Sequence, residues 1–189
     1  MYKVKKALEY RKIVRISIFG DSEVGKSCII NRYINLEYPQ DFLFTIGIDK
    51  AEKKIKLNNG IEIKVILLDT VGAERFRAAS LKTISYTDGC IVVFDVTSKE
   101  SFENISRWID SIKDIHSDFI IVLFGNKVDY DKSEWEVTNE EINKFIQEKK
   151  LKYFEVSAKN NIGIDEGIEY IINQFCVEKE YIVIPPRKK

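Results

Sequence analysis

A single α/β domain, with a six-stranded, mostly parallel sheet flanked by about five helices, is the fold this sequence predicts. Three observations carry that reading. Short apolar runs alternate with amphipathic stretches along the chain. Two of the runs, CIVVFDVT at 90–97 and FIIVLFGN at 119–126, are apolar almost throughout, as parallel strands covered on both faces are. The polar motifs of the chain stand directly after such runs, where ligands of open parallel sheets bind.

Taken in order, KIVRISIFG (12–20) is an apolar run ending in glycine and reads as a buried strand. A helix follows from Lys26 to about Asn35. KAEKKIKL (50–57) and IEIKVILLD (61–69) alternate apolar and polar residues around Asn-Asn-Gly, the mark of a hairpin. The two apolar runs above are the next strands. Between them, residues 101–115 place Phe102, Ile105, Ile109 and Ile112 at helical spacing, with Ser98 or Ser101 as the cap. Residues 138–150 repeat the pattern, and Thr138 with Glu141 forms a capping box. KYFEVSA (152–158) is a last strand and 163–179 a last amphipathic helix. No repeat, linker or low-complexity tract interrupts this order. It places one domain at 12–179, an N-terminal extension at 1–11, and a tail or the start of a linker at 180–189.

Composition narrows the function classes. The apolar share of 44% is that of a globular protein. Thirty basic and thirty acidic residues cancel, which leaves no electrostatic footprint for nucleic acid. Cys28, Cys90 and Cys176 are odd in number and far apart, so they read as reduced, mostly buried thiols of a cytosolic protein. His116 has no second histidine to share a metal and reads as a surface residue. The N-terminus MYKVKKALEYRK lacks the apolar core of a secretory signal. No run of about 18 apolar residues could span a membrane.

GDSEVGKS (20–27) fits the spacing GxxxxGK[ST], directly after a strand and before a helix. Gly20 and Gly25 let the backbone curl until successive N–H groups point inward at phosphate oxygens. The helix N-terminus adds partial positive charge. Lys26 supplies a full charge to β- and γ-phosphates, and the Ser27 hydroxyl is a ligand for Mg²⁺. The nucleotide-binding stretch is Asp21, Ser22, Glu23, Val24, Gly25, Lys26, Ser27 and Cys28. By itself this P-loop says nucleoside triphosphate, and leaves the base open.

Two further motifs choose the base. FGNKVD (124–129) ends the fifth strand. Asp129 can accept from guanine N1–H and from the exocyclic amino group. Adenine would leave that carboxylate unpaired, at a cost of about 1–3 kcal/mol. Asn126 and the stem of Lys127 brace the base and the phosphate loop. EVSAK (155–159) follows the last strand and brings Ser157, Ala158 and Lys159 to the base, with the Ala158 N–H meeting guanine O6. Together these motifs argue against a P-loop ATPase or kinase.

With these motifs in this order, the chain resembles the Ras superfamily of small GTPases, most of all its Rab branch, over about residues 12–179. GDSEVGKS, TIGID, DTVGAERF, NKVD and EVSAK carry the resemblance. It implies a P-loop G domain and a switch of vesicle and membrane trafficking that binds GTP or GDP with Mg²⁺. GTP orders two switch loops, hydrolysis releases them, and effectors read the difference. It also implies an exchange factor and a GTPase-activating protein as partners. The setting it implies is cytoplasmic, or peripheral on endomembranes where the protein is anchored. By position, Thr45 of FTIGID would ligate Mg²⁺ and touch the γ-phosphate. Asp69 would hold Mg²⁺ through water, the Gly72 N–H would contact the γ-phosphate, and Tyr38 would lie against the guanine edge.

The departures from the family pattern are specific. The family writes Asp-Thr-Ala-Gly-Gln where this chain has Asp69, Thr70, Val71, Gly72 and Ala73. The glutamine orients the attacking water, and a methyl group cannot. Losing that positioning is expected to slow hydrolysis on the order of 10²-fold. Glu74 beside it, or an activating protein bringing its own glutamine and arginine, is the route to rescue. A GTP-loaded binding module with no useful catalysis is the alternative. Val71 adds branched bulk to the same loop, and Glu23 stands where relatives have glycine, a like charge near the phosphates expected to speed nucleotide release. On the effector face, Lys50, Leu68 and Thr83-Ile84-Ser85 occupy the places of an aromatic cluster that Rab effectors read. Prenylated relatives end in cysteine, whereas this chain ends YIVIPPRKK, the reading of a fragment or of a protein that works without a lipid anchor.

Overall fold

A computed structural model describes residues 13–35, 49–57, 62–70 and 77–178. Tyr38, Thr45, Val71, Gly72, Ala73 and Glu74 lie outside the described residues. So do the Asn-Asn-Gly turn, the Cys176 side chain, the N-terminal extension and the tail.

The described elements are β1 (Ile13–Phe19), α1 (Lys26–Asn35), β2 (Asp49–Lys56), β3 (Glu62–Asp69) and α2 (Arg77–Leu81). A 3₁₀ turn over Lys82–Tyr86 leads to β4 (Gly89–Asp95), α3 (Lys99–Glu103) and α4 (Ile105–Ile115). Then come β5 (Ile121–Asn126), a 3₁₀ turn over Lys132–Glu134, α5 (Asn139–Lys149), β6 (Lys152–Glu155) and α6 (Ile164–Glu178). The six strands form one sheet in the order β2-β3-β1-β4-β5-β6. Only the β2–β3 pair is antiparallel, as the hairpin reading requires. The sheet is the six-stranded, mostly parallel one expected.

Burial follows the patterning. Every residue of β4 and β5 is buried, which is what their continuous apolar runs demand. β2 lies at the edge and alternates, with Lys50, Glu52, Lys54 and Lys56 exposed, a charged guard on an open strand. One core packs α1 and α6 against the sheet through Ile29, Tyr33, Ile168 and Ile172. The other packs α4 and α5 against its opposite face through Ile105, Trp108, Ile109, Ile112 and Ile142.

The boundaries shift for local reasons. The helix read over 101–115 starts at Lys99, with Ser98 as its cap accepting from the Ser101 N–H. It is interrupted at Asn104, yet the i→i−4 bonds run on: Asn104 N–H to Glu100 O at 3.0 Å, Trp108 N–H to Asn104 O at 3.3 Å. Taken as one interrupted helix, α3 and α4 bring the described helices to five. The Thr138–Glu141 capping box forms as predicted. The last strand stops at Glu155 rather than 158, because Ser157 turns to bridge Ile162. α2 and its 3₁₀ turn had no sequence signal, since hydroxyl bonds rather than apolar periodicity support them. Ser17 on β1 donates to Thr83 Oγ1 at 2.7 Å, and Thr83 donates to Ser80 O at 2.8 Å.

Candidate functional site

The chain leaves β1 toward β3 on one side and reaches β4 on the other, so the order of connections reverses beside β1. Open parallel sheets present their ligand crevice at that point. The 20–27 loop follows β1 there. Gly20 sits at φ +139°, and a Cβ on it would lie 2.3 Å from the Val93 carbonyl oxygen. Gly25 sits at φ +95°, where a Cβ would lie 2.3 Å from Asn126 Nδ2. Both glycines are therefore required by close approach as well as by backbone conformation. Glu23, exposed on the loop, also adopts a left-handed φ of +65°.

Lys26 opens α1 and is 6% exposed. It donates to Gly20 O at 3.0 Å and Asp21 O at 2.6 Å. Burial pushes its ammonium down to about 8, against the opposing pull of Asp69 and Asp21. A desolvated cation in a cradle of left-handed glycines is suited to a polyanion, whose oxygens would replace the missing water.

Next to it, Ser27 Oγ donates to Asp69 Oδ2 at 2.5 Å. Asp69 ends β3 in register with Ile18 of β1, and Thr70 beside it is anchored to Ile18 O at 2.6 Å. A hydroxyl and a carboxylate at the mouth of the phosphate cradle make a hard oxygen donor set. That set fits Mg²⁺ rather than a soft or nitrogen-seeking metal.

The third group forms at the ends of β5 and β6. Asn126 is buried, and its amide reaches two loops: Nδ2 donates to Val24 O at 2.8 Å, and Oδ1 accepts from the Ala158 N–H at 3.3 Å. Lys127, at φ +70°, pairs with Asp95 Oδ2 at 2.5 Å. Asp129 accepts from Ser157 Oγ at 2.5 Å and lies 3.8 Å from the Lys159 ammonium. Ser157 Oγ also accepts from the Asn160 N–H at 3.0 Å. Asp21, Ser22, Glu23, Val24, Gly25, Lys26, Ser27, Cys28, Asp69, Asn126, Lys127, Asp129, Ser157, Ala158 and Lys159 thus share the carboxyl end of one sheet. Cys28 is half-buried and free, with its thiol pushed up by burial. Among the described residues, no histidine, cysteine and carboxylate cluster could hold a further metal.

Supports that sequence reasoning did not single out also appear. Asp95 fixes Lys127 and is itself held by Thr97, whose N–H and hydroxyl donate to Oδ1 at 2.9 and 2.7 Å. The Asp21 carboxylate accepts from Trp108 Nε1 at 2.9 Å and from Asn104 Nδ2 at 2.7 Å. The Arg77 guanidinium lies over the Trp108 ring, 4.7 Å from its centroid. The only sequence signal for these contacts was that Trp108 fell on the buried face of its helix.

A model of the Ras family matches residues 15–176 of this chain. The Ras-related protein Rab-11C of Dictyostelium discoideum is 34% identical over 87% of this chain and 73% of its own length. The Ras-related protein RAB1BV of Beta vulgaris is 37% identical over 84% of this chain and 74% of its own. A probable Rab-related GTPase of Acanthamoeba polyphaga mimivirus is 35% identical over 84% and 78%.

Proposed function

Because the chain belongs to the Ras family and is a Rab-like small GTPase, we propose that it is a guanine-nucleotide switch whose own hydrolysis of GTP is very slow. Small GTPases of this type bind guanine nucleotide with Mg²⁺ and work with exchange factors, activating proteins and effectors, in trafficking generally. What supports nucleotide binding is the double grip of Asn126, which ties the 20–27 loop at Val24 to the 155–159 loop at Ala158. One nucleotide would span both loops. What supports slow hydrolysis is the methyl group of Ala73 in the sequence.

In that reading the 20–28 backbone and Lys26 hold the phosphates. Ser27, Asp69 and, by family position, Thr45 would hold Mg²⁺. Bound Mg²⁺ supplies neutralisation of charge on the β- and γ-phosphates. By family position the Gly72 N–H would sense the γ-phosphate and Tyr38 would lie against the guanine edge, Asp129 would read N1–H and the amino group, and the Ala158 N–H, shared with Asn126 Oδ1, would read O6. Ala73 offers nothing to orient water, so the attacking nucleophile stays unpositioned unless Glu74 or a partner supplies the group. That same residue favours the second reading, a module kept loaded with GTP.

The experiment is to extract and identify the nucleotide that copurifies with the full chain, and to compete it with GDP and ADP. Guanine nucleotide displaced by GDP alone is the expected result. Adenine nucleotide, or equal competition by ADP, would remove the reading. A GDP-loaded protein favours the cycling switch, and a GTP-loaded one the locked module.

A further inference from the structure

Arg32 lies in the last turn of α1, outside every motif that the sequence presents. Its Nε donates to Ala158 O at 2.8 Å, and its NH2 group donates to Lys159 O at 2.8 Å. These are consecutive carbonyls of the loop that carries the Ala158 N–H. The other polar groups of that loop are held elsewhere. Ser157 exchanges both backbone bonds with Ile162 at 3.0 Å, the Ala158 N–H meets Asn126, and the Asn160 N–H meets Ser157 Oγ. The peptide after Ala158 is thus fixed by a side chain of α1. A planar guanidinium can hold two neighbouring carbonyls at once, where an ammonium acts as a single point charge.

We infer that Arg32 is a specificity-positioning residue. It clamps the Ala158 and Lys159 carbonyls so that the Ala158 N–H, which donates to Asn126 Oδ1 over a long 3.3 Å, is held where guanine O6 can share it, and through α1 it joins the base loop to the phosphate grip of Lys26 and Ser27. The inference rests on the guanine-reading function proposed above. Arg32 would act through these two carbonyls rather than on the nucleotide. The six positions from Lys26 to Arg32 span about 9 Å of helix, a rigid strut between the two ends of the ligand.

The test measures dissociation of GDP, 6-thio-GDP and IDP from the full chain and from its Arg32→Gln and Arg32→Lys variants. Sulfur is a weak acceptor, so 6-thio-GDP reports the O6 contact. IDP lacks the amino group read by Asp129. Arg32→Gln is expected to release GDP about tenfold faster, the size of one charged hydrogen bond, while 6-thio-GDP changes far less. The preference for GDP over 6-thio-GDP then collapses, and the preference for GDP over IDP persists. Arg32→Lys falls between, and is read by the same ratios should Arg32→Gln fail to fold. Variants that keep the wild-type GDP to 6-thio-GDP ratio overturn the inference, whatever their overall rates, and leave guanine reading standing. A parallel loss of the IDP preference also overturns it, since the loop would then have come loose as a whole. A wild-type protein indifferent to 6-thio substitution would instead remove the Ala158–O6 contact, and the inference with it.

Discussion

Glu23 combines two costs at one residue. Its φ of +65° is a left-handed conformation, disfavoured for a side chain by about 1–2 kcal/mol. Its carboxylate stands in a loop that would hold phosphates. Because the side chain is exposed, water screens the charge, and the backbone term is the firmer of the two. Glu23→Gly is therefore expected to stabilise the fold by up to about 1 kcal/mol after the entropy of glycine is offset, read as a raised denaturation midpoint. It is also expected to slow GDP release; equal off-rates would refute the repulsion argument. The misplaced carboxylate was legible in the sequence, but its backbone angle was not, because that angle belongs to the turn. Tyr153 is a second case. Its Oη is buried with no hydrogen-bond partner among the described residues, over Gly125, where a Cβ would lie 2.5 Å from it. Tyr153→Phe is expected to raise stability by about 1 kcal/mol in urea unfolding at unchanged slope. A loss of stability would show that the hydroxyl is satisfied.

At the scale of elements, helix α4 does more than fill the core. The sequence showed its apolar face, and Ile105, Ile109 and Ile112 are buried as that spacing requires. It did not show that Trp108 and Asn104 reach the phosphate loop, because their partner Asp21 lies more than eighty residues earlier. Periodicity reports which face is covered, not which polar tip meets what. Trp108→Phe keeps the ring against Phe19 and Arg77 but deletes the Nε1 donor. It is expected to cost about 1–3 kcal/mol, because a half-buried carboxylate loses a partner, and to speed GDP release several-fold. Unchanged release would confine α4 to a packing role. The strands were legible because buried parallel strands are apolar at every position. The short α2 and its 3₁₀ turn were hidden because Ser17, Ser80 and Thr83 hold them by hydroxyl bonds, which leave no period in the sequence.

Across the whole molecule, departures from the family pattern fall both around the 20–27 loop, at Glu23, and on the β2–β3 edge of the sheet. Lys50 and Leu68 stand opposite each other on β2 and β3, with Lys50 exposed and paired to Glu52 at 3.0 Å. Thr83 is buried in its hydroxyl network rather than offered as an aromatic contact. Standard Rab effectors are expected to bind the GTP-loaded protein poorly, and a pull-down against a panel of them checks this; strong capture would contradict it. The residues proposed to hold base and phosphate stood out in the sequence because their motifs follow the strand ends. The partner surface was legible only as a set of departures, since a departure names what is lost and not what replaces it. The slow turnover proposed above rests on the missing water-orienting side chain at Ala73. Single-turnover GTP hydrolysis, measured without any partner on the wild-type chain and on Ala73→Gln, tests it most directly. A very slow wild type and an acceleration on the order of 10²-fold in the variant are expected. A wild type that hydrolyses GTP as fast as Ala73→Gln would contradict it.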